Sequence, residues 1–488
     1  MNAASTLTAR LLTERARPHG ISGWRHAHWL AVGTVCLGAF LGQLTASITA
    51  LVYPALQRHF GTGFAAVEWV ALAYLLVLVA LLAPVGRLSD LVGRKTVYIG
   101  GFAVFGLASL AAGFAGGLGT LVACRAVQAV GSAMMQANSV ALVARGVPEH
   151  AMRRALGIQA AAQGLGLALG PSLGGLLVEH ASWRWVFWIN VPVALVGILA
   201  GWFLLPRTRR PDAAGPVPPP RRAVRTDRTD PDGGRFDLAG LLLLAGSTTA
   251  LLLALSAASG LPLPGWVVAA LLLATVLLGL GLVRQERRAT RPILAPGLVN
   301  TPGVRPGLAV SLIGYLLLFC PLVLGPVLLA EAGLPTGQAG LVITVLPAAF
   351  AVAATVGGAL LPRGWSDVAR CRFGASLTGA GLLGCVLLPV AGAPALALAF
   401  PLLVAGGGLG LLLPANNALV MRAIPAECSA VGGGMVNMAR SLGTALGTAL
   451  PVLGVHLAGP VPGGRAVLLA LAAVAGLAVA LSRPVRRR

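Results

Sequence analysis

What most constrains this chain is its division into apolar stretches of bilayer length. A bilayer core takes about 20 apolar residues per helix. Fourteen such stretches succeed one another, at about 29–54, 67–86, 97–115, 119–144, 155–178, 185–205, 237–257, 265–283, 307–330, 339–361, 373–392, 395–420, 430–452 and 464–482. Lipid offers no partner to a backbone N–H or C=O, so stretches of this kind are helices. Composition agrees: of 488 residues 57% are hydrophobic and 10% charged, with a mean hydropathy of +0.85. A soluble domain carries about a quarter charged residues. The fold class is an all-α polytopic membrane protein.

The net charge of +22 is distributed by side. With the N-terminus inside and spans alternating, all but five of the 36 Lys and Arg fall on the inner side; Arg58, Arg184 and Arg465 lie outside, and Arg125 and Arg440 within spans. The positive-inside rule then predicts both termini in the cytoplasm and a cytoplasmic (inner) membrane location. The basic loops face anionic lipid headgroups, which accounts for the charge without nucleic acid. A basic N-terminus (Arg10, Arg15, Arg17, Arg25) ahead of an overlong first span predicts an uncleaved first helix. The six cysteines show no CxxC spacing and the seven histidines no paired spacing, so free thiols and no metal are expected.

The expected organisation is a cytoplasmic tail (1–28), six spans (29–206), a cytoplasmic linker (207–236), two spans (237–284), a cytoplasmic loop (285–304), six more spans (305–482) and a basic tail (483–488). The linker, rich in proline, arginine and aspartate, is too poor in apolar residues to fold alone. The pair at 237–283 is almost uniformly Leu, Ala and Val, and is predicted to pack at the periphery. The two sixes echo each other. Gly443 and Gly447 in span 13 match Gly166 and Gly170 in span 5, and Asp90 with Arg94 and Lys95 matches Asp367 with Arg370 and Arg372.

Polar residues inside spans mark the candidate site. Arg125, Gln128, Ser132, Gln136 and Ser139 share one face of span 4. An arginine at a helix centre costs roughly 2.5–3.5 kcal/mol on the lenient insertion scale, so this face should meet water or protein. Span 13 repeats the device with Asn437, Arg440, Ser441, Thr444 and Thr448, and span 1 has Thr34, Gly38, Gly42, Thr45 and Thr49. Plain packing is the alternative for the hydroxyls and amides, which bond back to their own helix or glue helices together. In span 5, Gly166, Gly170 and Gly174 recur every four residues, a face to which another backbone can come close, and Pro171 removes the hydrogen bond to the carbonyl of Leu167. The segment GRLSDLVGRK, 86–95, is predicted to be an inner loop with Gly86 and Gly93 permitting a tight reversal, and Arg94 and Lys95 anchored to headgroups. No nucleotide loop, HExxH or carboxylate pair on one span is present, so no enzyme and no ATP drive are expected.

These residues resemble the major facilitator superfamily, specifically its fourteen-span drug:proton antiporter branch. The branch's fifth-span antiporter motif is matched by Gly157, Gly166, Gly170, Pro171, Gly174 and Gly175; the gating loop between spans 2 and 3 by Gly86, Asp90, Gly93 and Arg94. Arg125, Gln128 and Gly131 resemble the fourth-span motif, whose arginine is linked to proton transfer, with Ala129 where glycine is usual. WRWVFWINVP (183–192) and NMARSLGTALGTAL (437–450) resemble the branch's spans 6 and 13. The resemblance implies two six-helix bundles plus two extra helices, and export of small amphiphilic drugs or metabolites by proton antiport, the proton gradient being the energy source and no cofactor being needed.

One departure stands out: Thr45 occupies the place of the acidic residue common in span 1 of the family. Glu68, near the start of span 2, is the expected substitute and could approach Arg125; the alternative is a surface glutamate favoured by a helix dipole. The expected substrate cavity is formed by Thr45, Thr49, Gln128, Gln136, Gln163, Asn416, Asn417, Asn437 and Arg440. Low aromatic content (5%) and the missing acid argue against a dedicated site for large organic cations. A facilitator or importer of a neutral metabolite is the alternative, with a transport-dead sensor behind it. Partners are a small-molecule substrate, protons and lipids; the sequence leaves the oligomeric state open.

Overall fold

The computed structural model describes residues 17–18, 24, 26–148, 151–208, 237–259, 264–289, 296–299, 301–360, 364–387, 395–424 and 429–482. The linker from 209 to 236, most of the N-terminal tail, the tail 483–488 and the side chain of Asp90 lie outside the described residues.

Each predicted span is met by a helix, numbered here as the spans were: 1 (Ala27–Ile48), 2 (Trp69–Val92), 3 (Arg94–Gly113), 4 (Leu118–Gly146), 5 (Met152–His180), 6 (Asn190–Leu204), 7 (Leu238–Ala258), 8 (Gly265–Arg288), 9 (Val304–Glu331), 10 (Thr336–Leu360), 11 (Asp367–Leu387), 12 (Ala395–Ala423), 13 (Ser429–Ala458) and 14 (Pro460–Leu481). Short helical turns precede helices 2 and 6, at Phe64–Val67 and Trp185–Trp188, and Tyr53–Phe60 continues helix 1. Thirteen helices among the described residues are long and apolar enough to cross a membrane. Helix 11 falls outside that set, because its first turns hold Asp367, Arg370 and Arg372 and residues 388–394 are not described.

Helices 1–6 form one bundle and 9–14 the other, with matching contacts. Helix 5 packs on helix 1 and helix 13 on helix 9, while helix 5 meets helix 10 and helix 13 meets helix 2 across the seam. Glycines set these distances. A Cβ on Gly166 would stand 2.5 Å from the Phe40 carbonyl oxygen, and one on Gly443 2.2 Å from that of Leu312. Each bundle therefore seats its fifth helix on its first backbone to backbone, a contact that van der Waals packing stabilises only when no side chain intervenes.

The reversal between helices 2 and 3 is tighter than predicted. Helix 2 runs through Gly86 to Val92, and Gly93 alone makes the turn, at φ 114° and ψ 127°. The second bundle repeats the device at Gly364, φ 113°, before helix 11. Only glycine occupies that region without strain. Lys95 is also not a headgroup anchor: it is 2% exposed and its Nζ donates to the carbonyls of Trp202 (2.9 Å) and Leu205 (2.8 Å), capping the C-terminal end of helix 6 with a positive charge.

The extra pair is half peripheral. Helix 8 packs on helix 7 and is otherwise almost bare. Helix 7 instead lies against helices 2 and 13, with Leu252 in one apolar cluster with Leu72, Ala445 and Ala449. It closes one side of the seam between the bundles, a place that a hydropathy pattern cannot reveal.

Candidate functional site

Between the bundles lies a chamber of two continuous compartments. The wider is bounded by Gly42, Gln43, Tyr74, Gln136, Tyr315, Asn437, Arg440 and Ser441. The second continues past Tyr74 and Thr444 to Ala50, Tyr53, Arg125 and Thr448. Helices 1, 2, 4, 9 and 13 contribute, so both bundles form the walls. A larger cleft inside the second bundle is lined by apolar groups such as Pro321, Leu324, Val342 and Leu468, with no charged residue in its wall.

Arg125 is held by neutral groups alone. It is 1% exposed, its Nε donates to the Val70 carbonyl at 2.7 Å, its Nη1 donates to Gln128 Oε1, and its guanidinium lies 4.4 Å from the Tyr74 ring centroid. Gln128 in turn donates to Ser109 Oγ of helix 3 at 2.6 Å. The Tyr74 hydroxyl donates to Ser132 Oγ at 2.7 Å, which also accepts from Gln136 Nε2 at 3.1 Å. One polar network thus runs along the predicted face of helix 4. Charge-assisted hydrogen bonds and a tyrosine face offset the desolvation of the cation.

Glu68 does not pair with Arg125, contrary to the sequence expectation. It is 0% exposed, which also removes the surface-glutamate alternative. Its Oε1 accepts from the Ser256 hydroxyl of helix 7, and its Oε2 is buried without a hydrogen-bond partner. Tyr53, 1% exposed, lines the second compartment together with Arg125.

Several predicted cavity residues face elsewhere. Thr45 donates to Asn190 Oδ1 of helix 6 at 3.3 Å and Thr49 donates to the Thr45 carbonyl, both 1% exposed within the first bundle. Gln128 is consumed by Arg125 and Ser109. Asn416 donates to the Gly307 carbonyl (2.9 Å) and Ser311 Oγ (2.8 Å), fastening helix 12 to helix 9. Gln163 and Asn417 are half-buried and line neither compartment. Gln136, Asn437 and Arg440 do line the chamber. Missed from sequence were Gln43, Tyr74 and Tyr315; the aromatic partner of each intramembrane arginine could have been sought on the neighbouring helix.

The glycine motif divides by neighbour. Gly166, Gly170 and Gly174 face helix 1, where a Cβ on Gly170 would stand 1.8 Å from Ser47 Oγ. Gly175 faces helix 10, with a Cβ 2.8 Å from the Thr336 carbonyl, and Gly340 reciprocates against the Pro171 carbonyl at 2.5 Å. Gly157 meets nothing within 4 Å. Helix 5 runs unbroken through Pro171. At the charge-poor end Glu179 accepts from the Gly337 N–H in the first turn of helix 10, joining the bundles there. In the second bundle Asp367 pairs with Arg422 at 2.7 Å.

The Major Facilitator Superfamily model matches residues 35–448. The chain is 31% identical over 447 residues to a tetracenomycin C resistance and export protein of Streptomyces glaucescens, covering 90% of this chain and 77% of that one. It is 33% identical over 442 residues to a puromycin resistance protein of Streptomyces alboniger (86% and 80%). A riboflavin transporter of Clostridioides difficile is 29% identical over 429 residues (86% and 87%). With two bundles related by matching contacts, a chamber between them and a family match over most of its length, this chain belongs to the Major Facilitator Superfamily of membrane transporters and is not an enzyme.

Proposed function

We propose that this protein exports small amphiphilic organic compounds across the cytoplasmic membrane by alternating access, in exchange for protons, with fourteen spans and both termini in the cytoplasm. The observation that carries the reading is the chamber walled by both bundles. Rocking two rigid bundles about such a site exposes it to each side in turn. The Glu179 contact and the Gly175–Gly340 approach join the bundles at the charge-poor end, and Gly164 meets Ala351 of helix 10 further along the same seam. The relatives named for tetracenomycin C export and puromycin resistance support the direction.

Glu68 is the proton carrier in this reading. A carboxyl with one oxygen on Ser256 and the other free of partners is best accommodated neutral, and it becomes costly when charged unless water or a cation reaches it. At the position where the family has its helix 1 acid, Thr45 donates to Asn190 Oδ1 of helix 6. That contact favours the second reading, an uncoupled facilitator, in which no helix 1 acid is required.

The test uses cells with and without the protein to find an exported compound, then everted vesicles with an imposed pH gradient. Gradient-dependent accumulation that Glu68→Gln abolishes is expected. Accumulation indifferent to the gradient supports the facilitator, and unchanged gradient dependence in Glu68→Gln removes Glu68 from the mechanism.

A further inference from the structure

The chamber is polar in one sense only. Its wider compartment carries a cation, Arg440, with amide and hydroxyl groups from Gln43, Gln136, Asn437 and Ser441, and no Asp or Glu. Arg440 is half-buried, its guanidinium lies 4.5 Å from the Tyr315 ring centroid, and its Nη1 reaches Asn437 Oδ1 at a long 3.4 Å. No carboxylate lies within ion-pair distance of it among the described residues. A guanidinium offers five N–H donors in a planar fork. The long bond to Asn437 and the contact with Tyr315, through its ring and hydroxyl, leave the rest of that fork for a solute.

Neither compartment has an acid in its wall; Glu68 meets Ser256, Glu179 meets Gly337, and Asp367 meets Arg422. An organic cation entering the compartment would lose water, meet a like charge and find no anion. A planar anion would gain charge-assisted hydrogen bonds and could lie against the tyrosine and phenylalanine faces that Tyr74, Tyr315 and Phe319 bring to the walls.

From this geometry we infer that the chamber is a binding site for planar aromatic anions, with Arg440 taking the acidic edge and discriminating against cations. The inference rests on the reading of the chamber as the transport site and names its substrate class. An anion leaving the cell moves down an inside-negative potential, so the membrane potential favours its export.

The test uses two xanthene dyes of one skeleton, fluorescein as an anion and rhodamine 123 as a cation, with the full-length purified protein in neutral detergent. Fluorescence anisotropy should show fluorescein bound about tenfold tighter or more than rhodamine 123. Arg440→Gln, which keeps an amide near Asn437, should weaken fluorescein about tenfold and leave rhodamine 123 unchanged or tighter, while Arg440→Lys keeps the order of preference. Equal binding of the two dyes, preference for rhodamine 123, or binding of neither overturns the inference. So does parallel loss of both dyes in Arg440→Gln with no recovery of fluorescein in Arg440→Lys, which marks a packing role. Transport separates the two readings: fluorescein bound with the charge preference but never accumulated in everted vesicles overturns export and upholds the ligand class, whereas vesicles that accumulate rhodamine 123 in preference uphold export and overturn the ligand class.

Discussion

Arg125 and Arg440 are one device used twice with opposite outcomes. Each sits in a span, and each lies over a tyrosine of a neighbouring helix, at 4.4 Å from Tyr74 and 4.5 Å from Tyr315. Arg125 is sealed, its nitrogens on Val70 and Gln128, and Gln128 fixed by Ser109. Arg440 is left half-open over the wider compartment, with one long bond to Asn437. A buried cation whose donors are already satisfied by its own fold organises structure, whereas one with donors to spare waits for a ligand. The first bundle thus holds the arginine that fastens helices 2, 3 and 4, and the second holds the one offered to solutes.

The largest expected effect breaks the sealed half. Arg125→Met leaves the Val70 carbonyl and Gln128 without a donor in a buried site, and should cost about 3 kcal/mol or more of stability and lose transport of every solute alike. Thermal unfolding in detergent, with uptake measured on the folded fraction, checks it; a variant as stable as the parent would contradict the sealed description. The corresponding loss at Arg440 should be confined to ligands.

Next come the glycine seats that bring each bundle together. Gly170→Ala places a methyl against Ser47 Oγ, and Gly443→Ala one against the Leu312 carbonyl, each an overpacking worth about 1–3 kcal/mol. Ser47→Ala should relieve only part of the first, since the Cβ of residue 47 at 2.7 Å and the Ile48 nitrogen at 2.8 Å remain, and none of the second, whose obstacle is the Leu312 carbonyl. Gly157→Ala, with nothing within 4 Å, is expected to be silent in the same unfolding assay.

Smaller still is the contrast between the polar neighbours of the two arginines. Tyr74→Phe removes the hydroxyl that donates to Ser132 and should cost about 1 kcal/mol. Asn437→Ala removes only a long bond to Arg440 and should move stability by less than about 0.5 kcal/mol while leaving the guanidinium freer for anions. A tighter fluorescein affinity in Asn437→Ala would sharpen the difference between the two arginines; a weaker one would make Asn437 part of the ligand contact.

The spans were legible because lipid demands about 20 apolar residues without a break, and a demand of that length is written in the sequence. The polar face of helix 4 was legible for the same reason: charge in lipid is costly wherever it points. What the pattern could not tell is which side of a helix meets the chamber. In helix 1 the hydroxyls of Thr45 and Thr49 turn towards the bundle interior, and Gln43 with Ala46 forms the wall. Asn416 read as a ligand residue and proved to be a fastener between helices 9 and 12. Glu68 was found by counting acids, yet its partner came from helix 7, a helix expected at the periphery. Local spacing predicts a face; only packing decides what that face meets.

The account's central claim is that the bundles close the charge-poor end at helices 5 and 10 and must part there for transport. Its most direct measurement is reversible locking: Glu179→Cys with Gly337→Cys, in a chain whose six native cysteines are replaced by alanine, oxidised to a disulfide across the contact. Transport in everted vesicles should stop on oxidation and return on reduction. A locked protein that transports at the unlocked rate would contradict alternating access through this end.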